Sequence, residues 1–160
     1  MRFGIAKLSN IALRSAPDTE SAIVTMAHYG EGFKILDHRK WWFKVKMAYD
    51  QTEGWVENLQ ILEISEDQYQ SLEEKTPSYC QELTGFIREE NGALMPVLLG
   101  ANTSQLKLLS HTFEGNTKAN GTKNGVVNTA LMYLNAPHLK GGTLPFGIDA
   151  AGLSQMAYKL

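Results

Sequence analysis

The feature that most constrains this chain is a run of short, closely spaced strand-like segments over its first sixty residues. Asn10-Ile11-Ala12-Leu13-Arg14 alternates apolar and polar positions and ends in a turn at Pro17-Asp18. Ile23-Val24-Thr25-Met26, the turn at Gly30-Glu31-Gly32, and Phe33-Lys34-Ile35-Leu36 read as strand, turn, strand. Trp42-Phe43-Lys44-Val45-Lys46-Met47 alternates cleanly, and Gly54-Trp55-Val56 begins another strand. Strands this short, joined by turns this tight, predict a small β-barrel over residues 1–62.

The C-terminal stretch has a different logic. Gly141-Gly142 and Pro145-Phe146-Gly147 predict a bent, close-packed loop, because glycine reaches backbone angles closed to other residues. Asp149 stands at the N-cap position of a helix on which Leu153, Met156, Ala157 and Leu160 form one apolar stripe. A loop feeding a capped helix suits a reactive cysteine, since the helix N-terminus lowers a thiol pKa. Here position 150 is alanine.

These residues resemble the NlpC-type cysteine peptidases, papain-like endopeptidases of bacterial cell-wall peptides. The family signature runs Pro-Tyr-x-Trp-Gly-Gly, then Gly-Ile-Asp, then Cys-Ser-Gly-Leu opening a helix. This chain keeps Pro137, Gly141, Gly142, Gly147, Ile148, Asp149, Gly152 and Leu153. It has His138 for the family tyrosine, Lys140 for the tryptophan, Ala150 for the nucleophile and Ala151 for the serine. The family's catalytic histidine comes from strands after that helix, and this sequence stops at Leu160. Thiol acyl transfer needs a nucleophile with a base in reach, so the resemblance implies an inactive site with no catalytic residue. It also implies that the retained Asp149 accepts a hydrogen bond from a ligand amine; an N-cap role alone explains the residue as well. His138 and Ala151 occupy the family's substrate-binding positions and join it as candidates.

The first segment resembles bacterial SH3-like domains through Leu13-Arg14-Ser15-x-Pro17, Gly30-Glu31, Trp42-x-Lys44-Val45 and Gly54-Trp55-Val56. Such domains accompany cell-wall enzymes, which makes Trp41 and Tyr49 candidates for ligand contact, with edge packing as the other reading; Trp42 and Trp55 are read as structural. An acidic segment, 63–77, predicts a linker helix capped by Ser65 and ended by Pro77. Residues 78–115 read as a second, diverged SH3-like β unit, with strands at Gln81–Ile87, Met95–Gly100 and Gln105–Phe113 and an Asn91-Gly92 turn. A polar linker, 116–125, leads to a helix over Val126–Asn135 with Val126, Val127, Ala130, Leu131 and Leu134 on one face, the start of a partial papain-like domain, 126–160.

The expected fold class is thus mainly β with C-terminal helices (α+β): tandem SH3-like barrels followed by the helical part of a papain-like domain. A net charge of −2 and a pI near 6.1 give no footprint for nucleic acid. No run approaches the length of a membrane span. Cys80 is the only cysteine, which excludes an intrachain disulfide, and the four histidines have no metal-ligand spacing, so no metal or cofactor is expected. The N-terminus lacks a signal-peptide core, which points to the cytoplasm, or to the cell envelope if a leader has been removed.

Three functions fit. The first is a non-catalytic relative binding cell-wall muropeptide or a protein. The second is an inactive fragment or nucleophile-less variant of a cysteine endopeptidase for the γ-D-glutamyl–diamino acid bond. The third is a regulatory subunit of an intact peptidase. Without strands to cover it, the stripe of Leu153, Met156 and Leu160 would present an apolar surface to a partner or to a second copy of the chain.

Overall fold

In the computed structural model, residues 1–119 and 123–160 are described. The barrel is built from β1 (Arg2–Ala6), β2 (Asn10–Arg14), β3 (Ile23–His28), β4 (Gly32–Arg39), β5 (Trp42–Met47), β6 (Glu53–Glu57) and β7 (Ile61–Ile64). They form one antiparallel sheet in the order β3-β2-β6-β5-β4-β1-β7. Strand side chains alternate between faces, so in β5 Phe43, Val45 and Met47 turn inward while Trp42, Lys44 and Lys46 are half-buried. They meet Ile11, Leu13, Ala27, Phe33, Ile35, Val56 and Ile61 in an apolar core. Register breaks at Leu13/Arg14 and at Ile35/Asp37 add the local bend that lets a short sheet curl.

Helix α1 (Glu66–Glu74) follows. Ser65 accepts from the Gln68 N–H, and the Gln68 side chain accepts from the Ser65 N–H, a reciprocal cap. The helix is tied to the barrel by Tyr69, which is buried and stacks on Phe3 at 4.4 Å.

The next unit contains β8 (Ser78–Cys80), β9 (Thr84–Arg88), β10 (Leu94–Leu98), β11 (Thr112–Phe113) and β12 (Thr117–Ala119). β10, β9 and β11 make a three-stranded sheet, while β8 and β12 pair separately. The expected strand over Gln105–Phe113 is found only at Thr112–Phe113. Before it lie a 3₁₀ turn, Thr103–Gln105, capped by the Asn102 side chain, and Ser110 in the left-handed region with φ 55. Leu106 and Leu109, three apart, pack together on the core of Tyr29, Cys80, Ile87, Val97 and Ala101, a spacing that suits a helical turn and not a strand. Residues 117–119 of the expected linker form β12; residues 120–122 lie outside the described part.

Helix α2 (Lys123–Met132) leads to β13 (Thr143–Leu144), β14 (Gly147–Ile148) and α3 (Ala150–Lys159). The apolar face read in the sequence of α2 is largely exposed, and a second face is buried. Val127, Leu131 and Leu134 are 62%, 59% and 70% exposed, while Thr129 and Tyr133 are buried and Met132 and Ala136 pack on the core. Two apolar stripes wrap this segment, and periodicity alone cannot rank them. The partner surface expected on α3 is corrected. Met156 and Leu160 are buried, with Leu153 packed beside them, against Tyr79, Leu99, Tyr133 and Ile148 of the same chain. No described helix is long and apolar enough to cross a membrane.

Candidate groove between the barrel and the C-terminal helix

The loop before α3 is held against the edge strand of the barrel. Gly141 has φ +75, and a side chain there would overlap the Ile23 carbonyl oxygen of β3. Two residues on, the Thr143 hydroxyl donates to the Met26 carbonyl oxygen at 3.2 Å. At the helix start, a side chain on Gly152 would overlap the Gly142 carbonyl oxygen. These close approaches explain why the glycines stand where they do.

Asp149 fastens the loop to the helix. Its Oδ1 accepts from the Gly152 N–H at 2.7 Å and its Oδ2 from the Gly141 N–H at 2.8 Å. Those bonds, first from Gly152 and then from Gly141, with a smaller contribution from His138, lower the carboxyl pKa from its ordinary value, against the opposing effect of burial. Asp149 is therefore the N-cap of α3, and each oxygen keeps acceptor capacity beyond its one bond.

Between this loop and the barrel runs a groove of about 430 Å³. Val24, Thr25, Asp50 and Thr52 line the barrel side, and Gly142, Asp149, Ala151 and Gln155 the other. The Gln155 amide donates to Asp50 Oδ2 at 2.6 Å, bridging the two walls. The titratable lining residues are the carboxylates Asp50 and Asp149, so the groove favours a cationic group. Ala150 is exposed at the first helical position beside it; a methyl group there offers no nucleophile.

The structure brings Asp149 and Ala151 into this groove, while His138 lies exposed on the loop, bridged through its backbone to Ile148. Tyr49 precedes Asp50 and lines a neighbouring hollow of about 280 Å³ with Glu31, Leu72 and Tyr79. Trp41, 70% exposed, sits at the opposite end of β5, roughly 20 Å away by strand rise. Trp55 is 8% exposed with Arg39 over its ring at 5.3 Å, and Trp42 is half-buried. A more open hollow of about 460 Å³ lies at Glu89, Glu90 and His111, apart from all the motif residues. Among the described residues no cluster of three His, Cys, Asp or Glu is placed to hold a metal. Cys80 is fully buried, and burial raises its thiol pKa.

Sequence reading missed Asp50 and Gln155. Asp50 sits in a turn whose composition signals only a turn, and Gln155 is polar on a helix face read for its apolar stripe. Their contact spans 105 positions, which no local pattern encodes.

Comparison with known proteins agrees with this architecture. Residues 9–59 match the bacterial SH3 domain family. A dipeptidyl-peptidase 6 from Lysinibacillus sphaericus is 44% identical over 54 residues, 34% of this chain and 18% of that protein's length. The solved structure of an NlpC/P60 family protein from Bacillus cereus superposes on 98% of this chain and 72% of its own, with TM-score 0.73 at 17% identity. Residues 9–59 are thus similar to bacterial SH3 domains, and the chain as a whole shares the fold of that NlpC/P60 family protein.

Proposed function

We propose that the chain is a non-catalytic relative of NlpC-type endopeptidases that binds a cell-wall stem peptide in the groove between barrel and α3. One observation carries the reading. The groove has carboxylates on both walls, Asp50 and Asp149, while the adjoining helix start presents the methyl of Ala150. An extended peptide with a free amine suits those carboxylates. In this reading the protein acts in the cytoplasm or, if a leader is removed, at the cell envelope.

The test is calorimetric titration with L-Ala-γ-D-Glu-diaminopimelate, with the solution mass measured on the same sample. Saturable heat from a monomer, weakened in Asp149→Ala, is the expected result. Absence of heat from a folded monomer would refute it. Ala150→Cys should show no hydrolysis of the same peptide, because no histidine is among the described residues that line the groove.

A second reading has its own observation. The exposed stripe of Val127 and Leu131 on α2, continued by Leu134 just past its end, favours a subunit that pairs with another polypeptide. A concentration-dependent mass abolished by Leu131→Lys would favour it.

A further inference from the structure

The seam beneath the groove is solidly packed and polar. Met26, His28, Glu31 and Met47 of the barrel meet Thr143, Gln155, Met156 and Lys159. His28 is 1% exposed, with Nε2 3.0 Å from Thr143 Oγ1. Because Nδ1 has no partner among the described residues, the arrangement that satisfies every group has Thr143 donating its hydroxyl hydrogen to the Met26 carbonyl oxygen and accepting from His28 Nε2–H. The imidazole is therefore the Nε2–H tautomer, and its Nδ1 is a bare lone pair. That atom has no hydrogen-bond partner among the described residues; the surface beside it is Gly100 and the Met156 methyl.

A proton on Nδ1 would create a buried donor without an acceptor, and it would add a second cation to the seam. The Lys159 ammonium is already there, paired with Glu31 and lying 5.1 Å and 5.2 Å from the ring centroids of Tyr49 and Tyr79. Glu31 accepts on both oxygens, on one from Lys159 and on the other from the His28 backbone N–H at 2.8 Å. The ionisable groups that share the seam with the imidazole are Glu31 from the β3–β4 turn and Lys159 from α3; Tyr49 of the β5–β6 turn and Tyr79 of β8 lie against Lys159, and Asp50 is reached through Gln155. Glu31 already has Lys159 as its counter-ion, so a charged His28 would set two cations against one carboxylate.

We propose that His28 makes this seam an acid-operated latch. The neutral imidazole holds the Gly141–Thr143 loop and α3 on the barrel; protonation releases them while the barrel stays folded. Burial first, and then the charge of Lys159, holds the imidazole pKa well below its usual range, in keeping with this geometry. The released form regains an ordinary value near 6.5. Above that pH neither form takes up the proton, and docking is unaffected. Below it the released form binds one proton that the docked form refuses, so release gains about tenfold per pH unit until the docked value is reached.

The experiment is amide hydrogen exchange on the whole chain from pH 7.5 to 5, corrected for the intrinsic pH dependence of exchange, comparing α3 and residues 141–143 with β2 and β5. Opening of α3 should rise about tenfold per pH unit below about 6.5 while β2 and β5 keep their protection. His28→Gln retains a donor toward Thr143 and has no titrating ring; it should abolish the rise. The His28 ring resonances of the unaltered protein give an answer even if that variant fails to fold. They should keep their neutral position for as long as α3 is protected. Titration of His28 near 6.5 with α3 still protected would overturn the proposal. So would equal loss of protection in barrel and helix, or an unchanged slope in His28→Gln.

Discussion

The interior of the barrel and the seam under α3 are both closed to water, and they are closed by opposite chemistry. The first is hydrocarbon throughout, from Ile11 and Leu13 to Val56 and Ile61. The second holds a histidine, a carboxylate and an ammonium, all under 7% exposed, between two methionine-lined walls. An apolar core tolerates exchange of one hydrocarbon for another and is indifferent to pH. A buried ionic seam is weak evidence for stability, because desolvation offsets its attraction, yet it strongly penalises any arrangement that leaves one charge alone. The barrel is thus made to be stable, and the helix is made to dock in one way.

The sharpest way to break this contrast is to remove one charge. Lys159→Ala leaves Glu31 buried without its cation and should lower stability by about 3–5 kcal/mol in denaturant unfolding. Joint replacement by Glu31→Leu and Lys159→Met, which fills the seam with hydrocarbon, should recover most of that loss. A double variant as unstable as the single one would show that the pair is a net source of stability and the contrast misplaced. Next in size is Leu13→Ala, at a fully buried barrel position. A loss of about 2–5 kcal/mol is expected, and it should not vary between pH 8 and pH 5, since no titrating group lines that core. A pH-dependent loss there would erase the distinction.

The same contrast decides what could be read in the sequence. Barrel strands announce themselves because alternation is local: the β5 pattern of Phe43, Val45 and Met47 needs no knowledge of partners. The helix start at Asp149 was legible for a similar reason, a cap being defined by the next three residues. The faces of α2 were not. Val127, Leu131 and Leu134 compete with Met132, Tyr133 and Ala136 for the inside, and the choice depends on where α3 lies. The seam was least legible of all. His28 lies 115 positions from Thr143, and Glu31 lies 128 from Lys159. Each looks like an ordinary polar residue until the fold closes over it.

A smaller effect separates the groove wall from the seam below it. Asp149→Ala removes the N-cap of α3 and the bond to Gly141, and should lower stability by about 1 kcal/mol at neutral pH. The sign of its pH dependence follows from the lowered carboxyl pKa. The ionised side chain stabilises the fold above the ordinary aspartate value, near 3.9, and that contribution is lost as pH falls through the lower folded value. The difference between Asp149→Ala and the unaltered protein should therefore shrink only below about pH 4. His28 acts in the window below about 6.5, so stability measured at pH 8, 5 and 3 assigns each group its share. A difference already gone at pH 5 would mean that Asp149 and the seam titrate as one unit.

The smallest effect is expected at the far end of the barrel. Trp41 is an exposed residue at the β4–β5 turn whose carbonyl oxygen accepts from the Asn58 N–H at 2.8 Å. That bond belongs to the backbone and survives truncation, so Trp41→Ala should change stability by no more than about 0.5 kcal/mol. Its distance from Asp149 gives the same variant a second use. Heat of binding for the stem peptide should be unaltered in Trp41→Ala and reduced in Asp149→Ala if the ligand lies between barrel and helix. The reverse pattern would move the binding surface to the open end of the barrel. An exposed indole is then the ligand's platform, and the groove with its two carboxylates is a feature of docking alone.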